Sequence, residues 1–111
     1  MKPLEGIKIL DFSQYLAGPS STLRLADLGA EVVKIERPGK GDGCRDLYVP
    51  NCTIEGESPL FCAVNRNKDS IALDLKAEAN TEIIKKLLQE ADVAIFSFRP
   101  GVAEKLGLSY E

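Results

Sequence analysis

IKILDFSQYLAGPSSTLRLADLGAEVVKIERPGKGD, residues 7–42, reads as strand, glycine turn, helix, strand and glycine loop. Ile7, Ile9 and Leu10 form a short apolar strand that ends at Asp11. Gly18 then supplies a flexible turn, and Pro19 is the residue best tolerated at a first helical position. Leu23, Leu25, Ala26 and Leu28 make the next segment largely apolar, with Arg24 and Asp27 as its only charges, so most of its circumference is expected to be covered. Gly29 suits the left-handed position that closes a helix. Val32, Val33 and Ile35 begin a second strand. A strand, crossover helix and strand of this length most simply form a right-handed parallel unit. Ligands of such sheets sit beyond the carboxyl ends of the strands, which places residues 13–19 and 37–42 beside one crevice.

Outward from this unit, residues 37–57 form a long irregular segment holding Pro38, Gly39, Gly41, Gly43, Pro50 and Gly56, and connections of that length are usually functional or poorly ordered. Residues 59–65 predict a short helix capped by Ser58, with Leu60, Phe61 and Val64 on one side. After a polar corner at Asn65-Arg66-Asn67-Lys68, residues 70–75 alternate Ile71, Leu73 and Leu75 against Ser70, Ala72 and Asp74, the period of a third strand. Ile83, Ile84, Leu87 and Leu88 recur at helical spacing within 78–90. Residues 93–97 form a fourth, nearly unbroken apolar strand, as expected of a parallel strand covered on both faces. Pro100 and Gly107 bracket one or two helical turns. The fold class is therefore α/β, a mostly parallel, Rossmann-like sheet with crossover helices.

Composition bounds the function. The chain has 111 residues, one domain at most, able to bury about two-thirds of its unfolded surface. Seventeen acidic against fourteen basic residues give a net charge of -3. That balance argues against nonspecific nucleic-acid binding, although a local cluster of Arg and Lys can still hold phosphate. There is no histidine, which removes Ser-His and Cys-His nucleophile pairs and the commonest metal ligand. Cys44, Cys52 and Cys62 are odd in number and lack Cys-x-x-Cys spacing, so neither a disulfide framework nor a zinc site is indicated, and a reducing cytoplasm is the expected setting. No signal peptide and no run of membrane-spanning length is present, so no membrane association is expected. The four strands stop where a further helix would begin, which reads as part of a larger α/β domain or as a complete small one.

Specific residues resemble a known family. Pro3-Leu4-Glu5-Gly6, Leu10-Asp11-Phe12-Ser13, Ala17-Gly18-Pro19, Leu25-Ala26-Asp27-Leu28-Gly29-Ala30 and Val33-Lys34-Ile35-Glu36-Arg37-Pro38 carry the likeness through the first half. Gly41-Asp42, Asn65-Arg66-Asn67-Lys68, Leu73-Asp74-Leu75-Lys76, Ala91-Asp92-Val93, Phe98-Arg99-Pro100-Gly101 and Leu106-Gly107-Leu108 continue it. In this order and spacing they resemble the class III coenzyme A transferases, a group that includes formyl-CoA and carnitine-CoA transferases and α-methylacyl-CoA racemase.

The resemblance implies a reaction. An aspartate carboxylate attacks an acyl-CoA thioester to give a mixed anhydride, then an aspartyl-CoA thioester, from which an acceptor carboxylic acid takes the CoA. The family's nucleophile lies beyond residue 111, so no catalytic residue is assigned among Asp11, Asp27, Asp42, Asp46, Asp69, Asp74 and Asp92. Residues 1–111 are then expected to be a single, incomplete CoA-binding domain, the N-terminal part of a larger CoA-transferase large domain. Its partners would be acyl-CoA and a carboxylic acid acceptor as substrates, with no permanently bound cofactor. In the family two rings interlock, which implies a homo-oligomer.

The same resemblance carries over site residues. The loop Gln14, Tyr15, Leu16 and Ala17 falls where family members line the CoA entrance, and Leu16 replaces a glutamine of some members. Arg37 matches the arginine at the adenine and phosphate end of CoA, a role suited to a guanidinium that stacks and bonds phosphate oxygens. Leu73 matches an apolar nucleotide contact. Phe98 and Arg99 sit in the next crossover turn, Lys105 falls where a member has a further cation, and Ser97 stands where asparagine is usual. Plainer readings stand beside these: Gly18 as a structural glycine, Tyr15 and Phe98 as core aromatics, and residues 65–68 as either a helix cap or a phosphate contact. An acyl-CoA racemase of the same fold, a non-catalytic nucleotide-binding fragment and a receiver-type signalling domain centred on Asp11 are the alternatives.

Overall fold

The computed structural model describes residues 1–110 and contains four parallel strands: β1 (Lys8–Asp11), β2 (Glu31–Glu36), β3 (Lys68–Ala72) and β4 (Val93–Ile95). Their order is β3-β2-β1-β4. Every neighbouring pair is parallel, with Ile9 opposite Val32 on one side and Val93 on the other, as the sequence predicts. The helices are α1 (Ala17–Asp27), α2 (Pro59–Asn65), α3 (Thr81–Glu90) and α4 (Val102–Lys105), with single 3-10 turns at Gly43–Asp46 and Glu78–Asn80. No helix among the described residues is long and apolar enough to cross a membrane.

Side-chain alternation along the strands sorts the core into two layers. Ile9 and Val32 pack with Ala26 of α1 and Ala30 on one face. Leu10, Phe12, Ile35 and Leu73 pack with Ile84 of α3 and Leu108 on the other. On the second face Phe12 stacks on Phe96 with ring centroids 4.8 Å apart, and Phe98 meets both rings. Phe98 thus has the core role that was one of its two sequence readings.

The α1 face changes character along its length. Toward the carboxyl ends of the strands it presents Asp11, Lys34, Glu36, Lys68 and Ser70, because these alternate in phase with Ile9 and Val32. Lys34 is 1% exposed and Asp11 0%. Beneath this layer α1 buries only the stripe Pro19, Thr22, Leu23 and Ala26, while Leu28 is exposed, which corrects the expectation of a helix covered almost all round. The helix also starts at Ala17, so Pro19 is its third residue and not its first. Gly18 approaches Ser13 so closely that a Cβ there would lie 2.2 Å from Ser13 Cβ, so its structural reading stands.

Ser58 caps α2 as expected, accepting from the Phe61 N–H at 3.3 Å. Within residues 37–57 the chain makes the 3-10 turn and two isolated antiparallel bridges, Val49 with Cys52 and Ile54 with Glu57. β3 begins two residues before the predicted start, because Lys68 is drawn into the ionic layer. Beyond its last residue the Leu73 N–H still donates to the Glu36 carbonyl at 2.9 Å. β4 is shorter than predicted and lies at a sheet edge with Val93 42% exposed, so its cover on both faces is incomplete.

Candidate functional site

The chain adds β2 and β3 on one side of β1 and then crosses back to place β4 on the other. This reversal opens a crevice beyond the carboxyl ends of the strands, where ligands of open α/β sheets bind. A groove of about 410 Å³ occupies that end, within the range of small-molecule sites. Gln14 follows β1, Arg37 and Pro38 follow β2, Lys76 follows β3, and Phe98 follows β4. Asp74, Leu75 and Leu106 complete the wall. A smaller cavity of about 30 Å³ adjoins it and reaches inward to Phe12, Ile35 and Leu73. The groove therefore combines two cations, one carboxylate, an amide and an apolar floor. The cations and the apolar floor suit a phosphorylated ligand with a flat base, whereas the Asp74 carboxylate disfavours phosphate beside it.

Of the residues singled out in sequence, Gln14, Arg37 and Phe98 meet in this groove, and Leu73 lies in its inward extension. The others sit elsewhere. Ser97 holds the loop from behind, its Oγ accepting from the Gln14 N–H at 3.2 Å. Tyr15 has a positive φ of 65° and turns its ring over Gly43, where an added Cβ would come within 2.5 Å of Tyr15 Cζ. Tyr15 is 53% exposed, so it is not a core aromatic. Leu16 is exposed at the entry to α1, and Ala17 is its first residue. Arg99 and Lys105 are exposed outside the groove wall, although Lys105 neighbours Leu106, which belongs to it. Lys76 and Leu75 escaped the sequence assignment even though Leu73-Asp74-Leu75-Lys76 was a recognised motif. The available signal was the strand alternation, which continues through Leu75.

On the α1 face of the sheet, across from the apolar wall of the groove, lies the ionic layer. Asp11 accepts from the Ser13 N–H at 2.9 Å, from Ser13 Oγ, and from Thr22 Oγ1 at 2.6 Å. The Lys68 ammonium stands 3.1 Å from Asp11 Oδ2 and also donates to the Pro19 carbonyl and Asn65 Oδ1, three acceptors for its three N–H bonds. Burial pushes the Asp11 carboxyl up, but the bonds from Ser13 and Thr22 and the Lys68 charge outweigh it and hold the group below its ordinary value. Lys68, lowered chiefly by its own burial, is occupied inside the molecule. The phosphate-contact reading of residues 65–68 is therefore overturned for Lys68, and Arg66 pairs with Asp27 at 2.7 Å. Asp11 is likewise wholly buried and bonded, which leaves no open carboxylate of the receiver kind.

Glu36 is the second centre. It takes Arg45 Nε at 2.8 Å, Arg45 Nη2 at 2.9 Å and Ser70 Oγ at 2.5 Å, while the Asp42 N–H donates to Oε1 at 2.9 Å. Burial raises this carboxyl, yet those bonds prevail and bring it to about 2. Arg45 is in turn stacked on Phe61, 3.8 Å from the ring centroid. The segment after β2 is thereby fastened to the sheet and to α2 at one guanidinium.

Residues 4–111 match the family model described as CoA-transferase family III. The chain belongs to this family. Among its relatives is a succinyl-CoA:glutarate CoA-transferase of Mus musculus, 48% identical over 111 residues, which are all of this chain and 25% of that protein. A formyl-CoA:oxalate CoA-transferase of Escherichia coli is 41% identical over 98% of this chain and 26% of its own length. A crystal structure of a CaiB/BaiF family protein from Brucella suis superposes with a TM-score of 0.89 at 40% identity, covering 98% of this chain and 29% of that one. The chain thus spans about a quarter of the length of its curated family relatives.

Proposed function

We propose that this chain is the N-terminal CoA-binding part of a class III CoA-transferase, which moves coenzyme A between carboxylic acids through an aspartyl intermediate. In this reading the nucleophilic carboxylate is supplied from outside these 111 residues. The observation that carries the proposal is the groove, whose wall holds Arg37 and Lys76 as cations for phosphate and Phe98, Leu75 and Leu106 as an apolar bed for a base. The transferase names of the relatives support a transferase over a racemase. Gln14, Arg37, Leu73 and Phe98 contact the nucleotide; Tyr15, Leu16, Ala17, Ser97, Arg99 and Lys105 act from the loops around it. The substrates are an acyl-CoA and an acceptor carboxylate.

Arg37→Ala is expected to weaken CoA binding by about 1.5–3 kcal/mol, the range for a charge-assisted hydrogen bond. Isothermal calorimetry on wild type and variant measures this, and equal affinities would remove Arg37 from the site.

The protein works as a homo-oligomer in this proposal. Val93 on edge strand β4 and Ile83 on α3 are exposed apolar positions, and open sheet edges invite pairing. The chain by itself is expected to self-associate in light scattering across a concentration series and to show no carboxylate-dependent CoA exchange. A monomer at every concentration would contradict the first expectation, and measurable exchange the second.

A further inference from the structure

One buried pair, Lys34 with Asp42, bonds to both groove loops at once. Asp42 is buried, and its Oδ2 faces Lys34 Nζ at 2.7 Å without a hydrogen bond of ordinary geometry, so that contact is made by charge. Its Oδ1 accepts two amides, the Cys44 N–H at 2.9 Å and the Tyr15 N–H at 3.0 Å. The first caps the 3-10 turn after β2, and the second reaches across to the loop after β1. Lys34 Nζ meanwhile donates to the Ser13 carbonyl at 2.9 Å. The pair therefore grips Ser13 and Tyr15, the two residues that flank Gln14. On the other loop it fixes residues 42–44, just after Arg37.

A buried ion pair adds little net stability compared with apolar residues of similar volume, so stability alone does not explain this one. Its geometry does. Tyr15 takes a left-handed φ that non-glycine residues adopt only when their surroundings impose it. Here the surroundings are the Asp42 carboxylate at its amide and the bare face of Gly43 under its ring. We infer that Asp42, balanced by Lys34, is a positioning residue: it holds the Gln14–Tyr15 loop against the Arg37 loop and so sets the width of the groove. The consequence for binding rests on the CoA reading of the groove; the hold on Tyr15 does not.

Two double variants isolate that hold. Both remove the buried ammonium, so neither leaves an unpaired charge. Lys34→Met with Asp42→Asn keeps an acceptor long enough for Tyr15. Lys34→Met with Asp42→Ser shortens the acceptor that the two amides share, and serine, a favoured cap, is expected to keep the local bond to Cys44 at the expense of the long-range one to Tyr15. The two are expected to melt at similar temperatures and both to bind CoA more weakly than the wild type, since each lacks the Lys34 bond to Ser13, with the serine form about tenfold weaker than the asparagine form, as loss of one buried hydrogen bond implies. The Tyr15 amide is expected to exchange with deuterium about tenfold faster in the serine form, while the Cys44 amide stays protected in both.

Equal CoA affinity of the two forms would overturn the positioning role. Failure of the wild type to bind CoA would overturn the reading of the groove instead, and Tyr15 exchange would still decide the hold. Should either double variant not fold, Gly43→Ala probes the same contact without touching a buried charge. It displaces the Tyr15 ring and is expected to weaken CoA binding and speed Tyr15 exchange; unchanged values for both would overturn the inference.

Discussion

Asp11→Ala is expected to destabilise the chain by about 3–5 kcal/mol, the range for breaking a buried ion pair by removing one partner. Small domains have about 5–15 kcal/mol in total, so the variant would stand at the edge of unfolding. The cause is what remains behind. Lys68 would keep the Pro19 carbonyl at 2.9 Å and Asn65 Oδ1 at 3.0 Å but lose the carboxylate that balances its charge. The Ser13 N–H and hydroxyl would lose their acceptor in the same step, and the Thr22 hydroxyl would be left with the Pro19 carbonyl at 3.1 Å. Urea unfolding measures the effect, with Asp27→Ala as the comparison. Asp27 pairs with Arg66 at 2.7 Å, but their side chains are 35% and 58% exposed, and such pairs are worth about 0–1 kcal/mol. Similar midpoints for the two variants would show that the Asp11 cluster contributes nothing beyond a surface pair.

Acid is expected to unfold the chain through Glu36. Its carboxyl falls from 4.5 to about 2 in the folded state. A depressed carboxylate stabilises the fold above its unfolded value, and this contribution is lost as the pH falls from about 4.5 toward 2. At about 1.4 kcal/mol per unit the loss is about 3 kcal/mol, and Asp11, also held below its ordinary value, adds to it in the same direction. Urea midpoints followed from pH 6 to pH 2.5 should therefore fall steeply in the wild type. In Glu36→Gln they should start lower and fall less, because the titrating group is gone. Parallel curves for the two proteins would assign acid sensitivity to other carboxylates.

The first strand-helix-strand unit is plain in the sequence because its signals agree at every level: apolar runs for β1 and β2, a glycine entering α1, and Gly29 leaving it with φ of 108°. The α2 boundaries are equally plain, because Ser58 and Pro59 are a local stop and start that no distant contact has to supply. Arg37 could be placed beside a crevice because position after a parallel strand determines which end of the sheet a residue joins. The family itself was legible from eleven short motifs in order.

The ionic layer was not legible, for a definite reason. Lys34 lies between Val33 and Ile35, and in a single chain such a lysine looks like the solvent side of an alternating strand. Strand register sets Asp11 opposite Lys34 and Val32 opposite Lys68, and α1 then covers them, so the same alternation points inward. Lys68 and Asp11 are 57 residues apart, a separation at which no local pattern announces a pair. The groove divides in the same way. Gln14, Arg37 and Phe98 follow from the order of strands, and Lys76 after β3 was open to the same argument, whereas Leu106 joins them only because the chain folds back after β4. Local chemistry thus determined the elements and their direction. Which charges are buried, and which loops meet, was decided by long-range register, because only pairing across the sheet removes those groups from water.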